Sequence, residues 1–378
     1  MALTKRGKWV LAAVYIPVLL ALLSYYYANR PEEDKTPPHA TGEVREVAPS
    51  WLNRALSAWH EKTTSEPIVA IIRQDVPAQY GAISPDGKYI ATGGSIIRDV
   101  AISSIAEKRV VTKLAIDSGS VRALAISPNG RYLASGHGLM ASLDHNDSVD
   151  IWDMQNGRLA RKLPGPVAAG KYDNEVTALA FSPDSRRIAV SFTGQQKGDS
   201  IHLFDVEAGE RLQVMHSSSA VSGSLSFFDK GQYLGSMEYG GDFNVCETGT
   251  GKRVKQFSQH GAYAVSPDSR YLAAGLNSEE RLKIFDLLTG QVVKVLGTSQ
   301  KAYRIVAFSP DGRYLAVSGD DGLAIWDISA GIVIRELKGH PDIMGKWIGF
   351  DIEGRYFAAV CNRYVVVWDF KKLVSTGY

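Results

Sequence analysis

The stretch Phe308 to Asp327, FSPDGRYLAVSGDDGLAIWD, recurs in weaker copies along most of the chain. Self-similarity at a period of about 40 residues restricts a chain to a ring or stack of like units. Within the stretch, Val306-Ala307-Phe308 reads as a short buried strand that stops at Ser309-Pro310, where proline removes a ladder donor. Asp311-Gly312 then supplies the chemistry that reverses the chain. Tyr314 to Val317 is a second β-prone run, Gly319 to Gly322 a second turn, and Leu323 to Trp326 a third strand closed by Asp327. After Ser329-Ala330-Gly331, the run Ile332 to Leu337 makes a fourth. The copies start at Ile83, Ala125, Ala180, Ser226, Ala264 and Gly349, and with the opening stretch they make seven units. Their phase is set by the residue after each turn, namely Tyr89, Tyr132, Arg187, Tyr233, Tyr271, Tyr314 and Tyr356.

At SPDGRYLA and IWD the chain resembles the WD40 family of β-propellers, here in a bacterial, membrane-anchored form. The closing dipeptides are Trp152-Asp153, Phe204-Asp205, Phe285-Asp286, Trp326-Asp327 and Trp368-Asp369, with Cys246-Glu247 as a substitute and no clear equivalent in the first unit. The resemblance implies an all-β, seven-bladed propeller of four-stranded antiparallel blades. It also implies a polar network in each blade: a histidine before the inner strand, a serine or threonine on the second strand, an aspartate in the next turn, and the tryptophan. His340, Ser318, Asp320 or Asp321 and Trp326 are the best set, and no unit clearly has all members. Packing between blades, through residues such as Leu124, Phe181, Phe227 and Phe308, is therefore expected to hold the ring.

The chain of 378 residues is used almost entirely by one ring and its N-terminal extension. A net charge of +2 argues against a general nucleic-acid binder. The two cysteines, Cys246 and Cys361, fall in the fourth and seventh units, too far apart to pair, and are expected as small buried residues.

Residues 1–8 carry Lys5, Arg6 and Lys8, and Trp9 to Tyr27 follows without a charge. As a helix that run covers about 28 Å, close to the hydrocarbon thickness of a bilayer. Bulky Tyr25, Tyr26 and Tyr27 stand where signal cleavage needs small residues, so 9–27 reads as an uncleaved transmembrane anchor. The basic flank places the N-terminus in the cytoplasm and the propeller in the periplasm. Residues 28–66 read as a linker, with a short amphipathic helix over 50–62 whose stripe is Trp51, Leu52, Ala55, Leu56 and Trp59. The propeller occupies 67–378. Its segment 68–73 has no inner strands before it, and the last unit runs out of residues after Phe370; the first should supply the fourth strand of the last.

No metal, haem, phosphate or nucleophile signature is present, and no cofactor is expected. Asp144-His145-Asn146-Asp147 has metal-ligating types but sits in a polar insertion where such residues are ordinary loop chemistry. Two functions remain: a non-catalytic platform for protein partners in a membrane or periplasmic complex, and a periplasmic propeller enzyme of quinoprotein or lactonase type. The platform is favoured, because no acids, bases or metal ligands converge where the inner strands begin. The long insertions 137–148, 164–175 and 193–200 open on one face. Six residues before each turn proline or its equivalent stand Gln79, Arg122, Thr177, Gly223, Gly261, Arg304 and Lys346. The candidate partner-binding residues are Arg122, Arg304 and Lys346, with Tyr172 and His145 from the flanking loops. An acidic or phosphate-bearing protein is the expected partner. Lys88, Arg131 and Arg313 lie at turns on the opposite face.

Overall fold

The repeating unit becomes a blade because its turns are built from the side chains that name the motif. In a computed structural model, residues 67–94, 99–117, 119–138, 148–166, 175–193, 200–217, 221–238, 241–258, 261–276, 281–297, 303–319, 322–337 and 347–375 are described. Between the inner and second strands of blade 6, Ser309 Oγ accepts the Tyr314 N–H at 2.9 Å and donates to the Asp311 carboxylate. Ser84, Ser127, Ser182 and Ser266 hold the residue five places on in the same way, at 2.8–2.9 Å. In blade 7 the buried Asp351 takes the serine's place and accepts the Tyr356 N–H at 2.7 Å. Blade 4 has Phe228 there and turns through the 3-10 segment Asp229–Gly231 instead.

The fourth turn position has positive φ throughout: 69° at Gly312, and 62° and 63° where Ser185 and Ser269 replace glycine. Left-handed backbone costs a non-glycine residue energy. Each of these serines returns a contact to the preceding blade: Ser185 Oγ accepts the Asn129 N–H at 3.1 Å and Ser269 Oγ the Asp229 N–H at 2.8 Å.

The closing aspartates have an equally local cause. Asp153, Asp205, Asp286 and Asp327 accept backbone N–H groups of the turn that leads to the outer strand, at 2.7–2.9 Å. Backbone and side-chain hydrogen bonds from Thr289 hold the Asp286 carboxyl below its ordinary range, and the Ser329 hydroxyl leads in doing the same to Asp327. The first unit does have an equivalent, Ser104, whose Oγ accepts the Glu107 N–H at 3.1 Å.

Each blade is an antiparallel sheet with strands in chain order, except the last. There Ile68–Arg73 is the outer strand, paired antiparallel with Tyr364–Asp369 in the register Ala70↔Val367 and Ile71↔Val366. The chain leaves this blade through a helix, Phe370–Ser375. Every outer strand is joined to the third strand with a bulge, which interrupts the exposed edge.

The core consists of clusters shared between neighbouring blades. Ala262, Leu282, Ile284 and Leu296 of blade 5 pack with Val306, Leu315 and Trp326 of blade 6. Ala70 and Ile72 of the closing strand pack with Ala78, Ile90 and Ile105 of blade 1, which seals the ring. Of the residues expected to carry inter-blade packing, Phe181 is buried, while Leu124, Phe227 and Phe308 pack half-buried against such clusters. A polar side chain at one register position of the outer strand adds to this packing. Arg161, Gln213, Lys255, Lys294 and Arg335 each donate to backbone carbonyls of the next segment: Ala208, Thr250, Leu287, Ile328 and Leu373 respectively. Both cysteines are free and buried, and burial pushes the Cys246 thiol up.

Among the described residues no helix is long and apolar enough to cross a membrane. The anchor expected at 9–27, the linker over 28–66 and the helix expected at 50–62 lie outside the described residues.

Candidate partner-binding face

The strand order puts the serine–aspartate turns on one face and the connections between blades on the other, so the starts of the inner strands ring this second face. Three of them carry a one-residue bulge. Arg122 in blade 2, Thr177 in blade 3 and Arg304 in blade 6 are the residues left unmatched by the register. A bulge re-aims the side chain that makes it. The position that counting back from the turn picks out in blades 2, 3 and 6 is therefore a structural position, and two of its three occupants are cationic.

Arg122 donates from Nη2 to Glu175 Oε1 at 3.0 Å, and its side chain is a quarter exposed. Glu175 starts the inner strand of blade 3, two residues before the ring position counted there, so the sequence count of cations passed over an acid that neutralises one of them. Arg304 is exposed. Thr177 Oγ1 is hydrogen-bonded to Ser191 Oγ, Gln79 donates its N–H to Gly93 O at 2.8 Å, and Gly261 begins the inner strand of blade 5. Gly223 lies in the irregular stretch between Val221 and Leu225. Lys346, Tyr172 and His145 lie outside the described residues, as do His340, Asp320 and Asp321.

Beneath this face are two buried polar networks built from other residues than the expected ones, whereas Ser318 of the expected set is buried with no hydrogen-bond partner among the described residues. In blade 1, Gln74 follows the closing strand; Thr92 Oγ1 donates to Gln74 Oε1 at 3.0 Å, and Gln74 Nε2 donates to Ser103 Oγ at 3.2 Å. Glutamine thus stands for the histidine and serine for the tryptophan. In blade 2, Trp152 Nε1 donates to Ser135 Oγ at 3.0 Å, and Ser135 meets His137 Nε2 at 3.1 Å. His137 stands two residues beyond the serine on the same strand. Asp150 is 3.7 Å from His137 and 3.8 Å from Lys162, whose ammonium binds Asp117 at 2.6 Å. Burial drives His137 down to about 4 and Asp150 up to about 6. At neutral pH the imidazole is therefore uncharged, and the Asp150 carboxylate has Lys162 as its ionic partner. In blade 3 the equivalent of Asp150 is His202, also pushed down to about 4 by burial, with Nε2 3.1 Å from Ser200 Oγ. Sequence reasoning missed these sets because it sought the usual residue types; the signal was a polar residue at an inward-facing strand position.

Fold and face together define a seven-bladed propeller whose turn face repeats one hydrogen-bonded turn in five blades and whose loop face varies. The family described as "WD domain, G-beta repeat" matches residues 109–153 and 290–327. A guanine nucleotide-binding protein subunit beta from Arabidopsis thaliana is 26% identical over 65% of this chain and 68% of its own length. WD repeat-containing protein 1 from Bos taurus is 26% identical over 56% of the chain, and transcription initiation factor TFIID subunit 5 from Caenorhabditis elegans 23% over 63%. The matched region spans only 35% and 37% of the length of these last two relatives. The chain carries WD40 repeats at those residues and folds as a seven-bladed β-propeller.

Proposed function

We propose that the chain is a non-catalytic platform for protein partners, docking them on the loop face. It is held by residues 9–27 in the cytoplasmic membrane, with the N-terminus in the cytoplasm and the propeller in the periplasm. The observation that carries the docking reading is the trio of bulges at Arg122, Thr177 and Arg304, which present side chains from a rigid ring on the face where the long connections emerge. The relatives support a role in protein assembly: one is named as a subunit of a guanine nucleotide-binding protein and another as a subunit of TFIID. The anchor rests on 19 uncharged residues flanked by Lys5, Arg6 and Lys8. The partner is acidic or phosphate-bearing, and it competes with Glu175 for Arg122.

Charge reversal of Arg122, Arg304 and Lys346 together is expected to reduce recovery of a crosslinked partner from membranes at least about tenfold. Reversal of Lys88 and Arg131 on the turn face should leave recovery intact. Equal recovery from both variants would remove the loop face as the site. The membrane reading has its own test, since protease added outside the cytoplasm should digest the propeller while an N-terminal tag stays protected. Protection of both ends would reverse it.

A further inference from the structure

On the turn face, blade 7 differs from the other blades. Where they make a tight turn into an outer strand, it continues into the helix Phe370–Ser375, because its outer strand comes from the start of the described chain. The helix forms a wall against the turns of blades 6 and 7, and the groove between them encloses about 300 Å³. Its floor is fixed before any ligand arrives: Phe370 is 4% exposed and packs edge-on against Tyr314, with ring centroids 5.6 Å apart, and against Phe350 at 4.8 Å. Pro310 and Val374 also line the groove.

The charges around the groove are committed, with one exception. Arg313 pairs with Asp327 at 3.2 Å and stacks over Tyr314. Glu353 pairs with Arg355 at 3.1 Å. The Asp311 carboxylate accepts Ser309 Oγ and the Arg313 N–H. Lys371 lines the groove, is exposed, and has no ion pair among the described residues. It stands three residues before Val374, so helical spacing sets its stem and the valine on one side of the helix, beside the groove.

We propose that this groove binds a short acidic peptide segment. An apolar side chain enters between Pro310, Tyr314 and Val374, and the adjacent carboxylate pairs with Lys371. The uncommitted cation selects an anion, and the volume admits one or two side chains, which suits a segment of a larger protein. The site is on the opposite face from the loop-face ring and does not depend on it.

The test is fluorescence anisotropy of a labelled peptide Gly-Ser-Leu-Glu-Ser-Gly titrated with the full chain in detergent. Companion peptides replace Leu with Ser, or Glu with Gln or Lys. Saturable binding of the Leu-Glu peptide is expected, weakened about tenfold or more by either single replacement. Lys371→Glu should exchange the preference, taking the Leu-Lys peptide over the Leu-Glu peptide, with Lys88→Glu unchanged from wild type. Lys371 is exposed, so an unaltered thermal melt of its variant certifies the fold. Failure of the wild type to bind the Leu-Glu peptide saturably would overturn the proposal. So would equal affinity of wild type and Lys371→Glu for it, or indifference to the glutamate.

Discussion

The turn face and the loop face come from the same blades and are specified in opposite ways. On the turn face a serine, an aspartate and the next aromatic lie within six residues, and their hydrogen bonds close inside that span, as in Ser309, Asp311 and Tyr314. Five blades repeat this set of bonds almost unchanged, and blade 7 keeps its backbone part with Asp351. On the loop face the partners are far apart in sequence: Gln74 with Ser103, Lys162 with Asp117, Arg122 with Glu175. No two described blades use the same set there. A motif that is satisfied locally is repeated, whereas a network assembled from several strands drifts blade by blade. The drifting face is where distinct partners can be told apart.

The largest expected effect breaks the ring on which both faces depend. Deleting 67–75 strips Val365, Val366 and Val367 of their outer neighbours and opens the cluster around Ile72, so the full chain should aggregate instead of melting cooperatively. Trp368→Ala, at a fully buried site shared with blade 6, should cost about 3–5 kcal/mol in a denaturant titration.

A pH titration of stability probes the loop-face network. His137 is depressed to about 4 from 6.5, so its contribution is lost as pH falls through that window. Asp150 is raised to about 6 from 3.8, so its contribution is gained as pH falls through the overlapping window. Between about pH 4 and 6 the unfolded chain carries the proton on His137 and the folded chain on Asp150. The pair therefore contributes little slope. His137→Gln should unmask Asp150 and make the variant more stable as pH falls from 6 to 4, by up to about 3 kcal/mol. Asp150→Asn should do the reverse. A wild-type slope equal to that of either variant would show that the two groups do not offset each other.

Smaller effects separate the faces at single positions. Ser309→Ala leaves the Tyr314 N–H without its acceptor and should cost about 1–3 kcal/mol, whereas Arg304→Ala on the loop face should stay within about 0.5 kcal/mol. Smallest of all, Ser185→Gly and Ser269→Gly relieve positive φ but lose the hydrogen bonds to Asn129 and Asp229. Melting temperatures close to wild type are expected, and a clear rise at both would mean that these bonds contribute nothing.

Legibility in the sequence follows the same division. Strand Ile332–Leu337 and the Ser-Pro-Asp-Gly turns could be read because propensity and turn chemistry act over a few residues. The first unit's Ser104 was hidden because it does with a hydroxyl what aspartate does elsewhere. Gln74 and His137 were hidden because each fills a polar role from an unexpected position, which only three-dimensional pairing reveals. At the candidate site, counting back from the turns found Arg122 and Arg304 but not Glu175, since a bulge re-aims the residues at the start of an inner strand without a mark in composition. The loop residues Lys346, Tyr172 and His145 stand outside the described residues, and their part in the site rests on the partner experiments.

The central claim, that the turn face is mainly repeated scaffold and the loop face is where the assembly partner docks, is tested most directly by photocrosslinking in intact membranes. A photoreactive amino acid placed at Arg304 is expected to capture a partner, and the same group at Lys88 is expected to capture nothing at comparable yield. Capture of that partner from Lys88 and not from Arg304 would contradict the account.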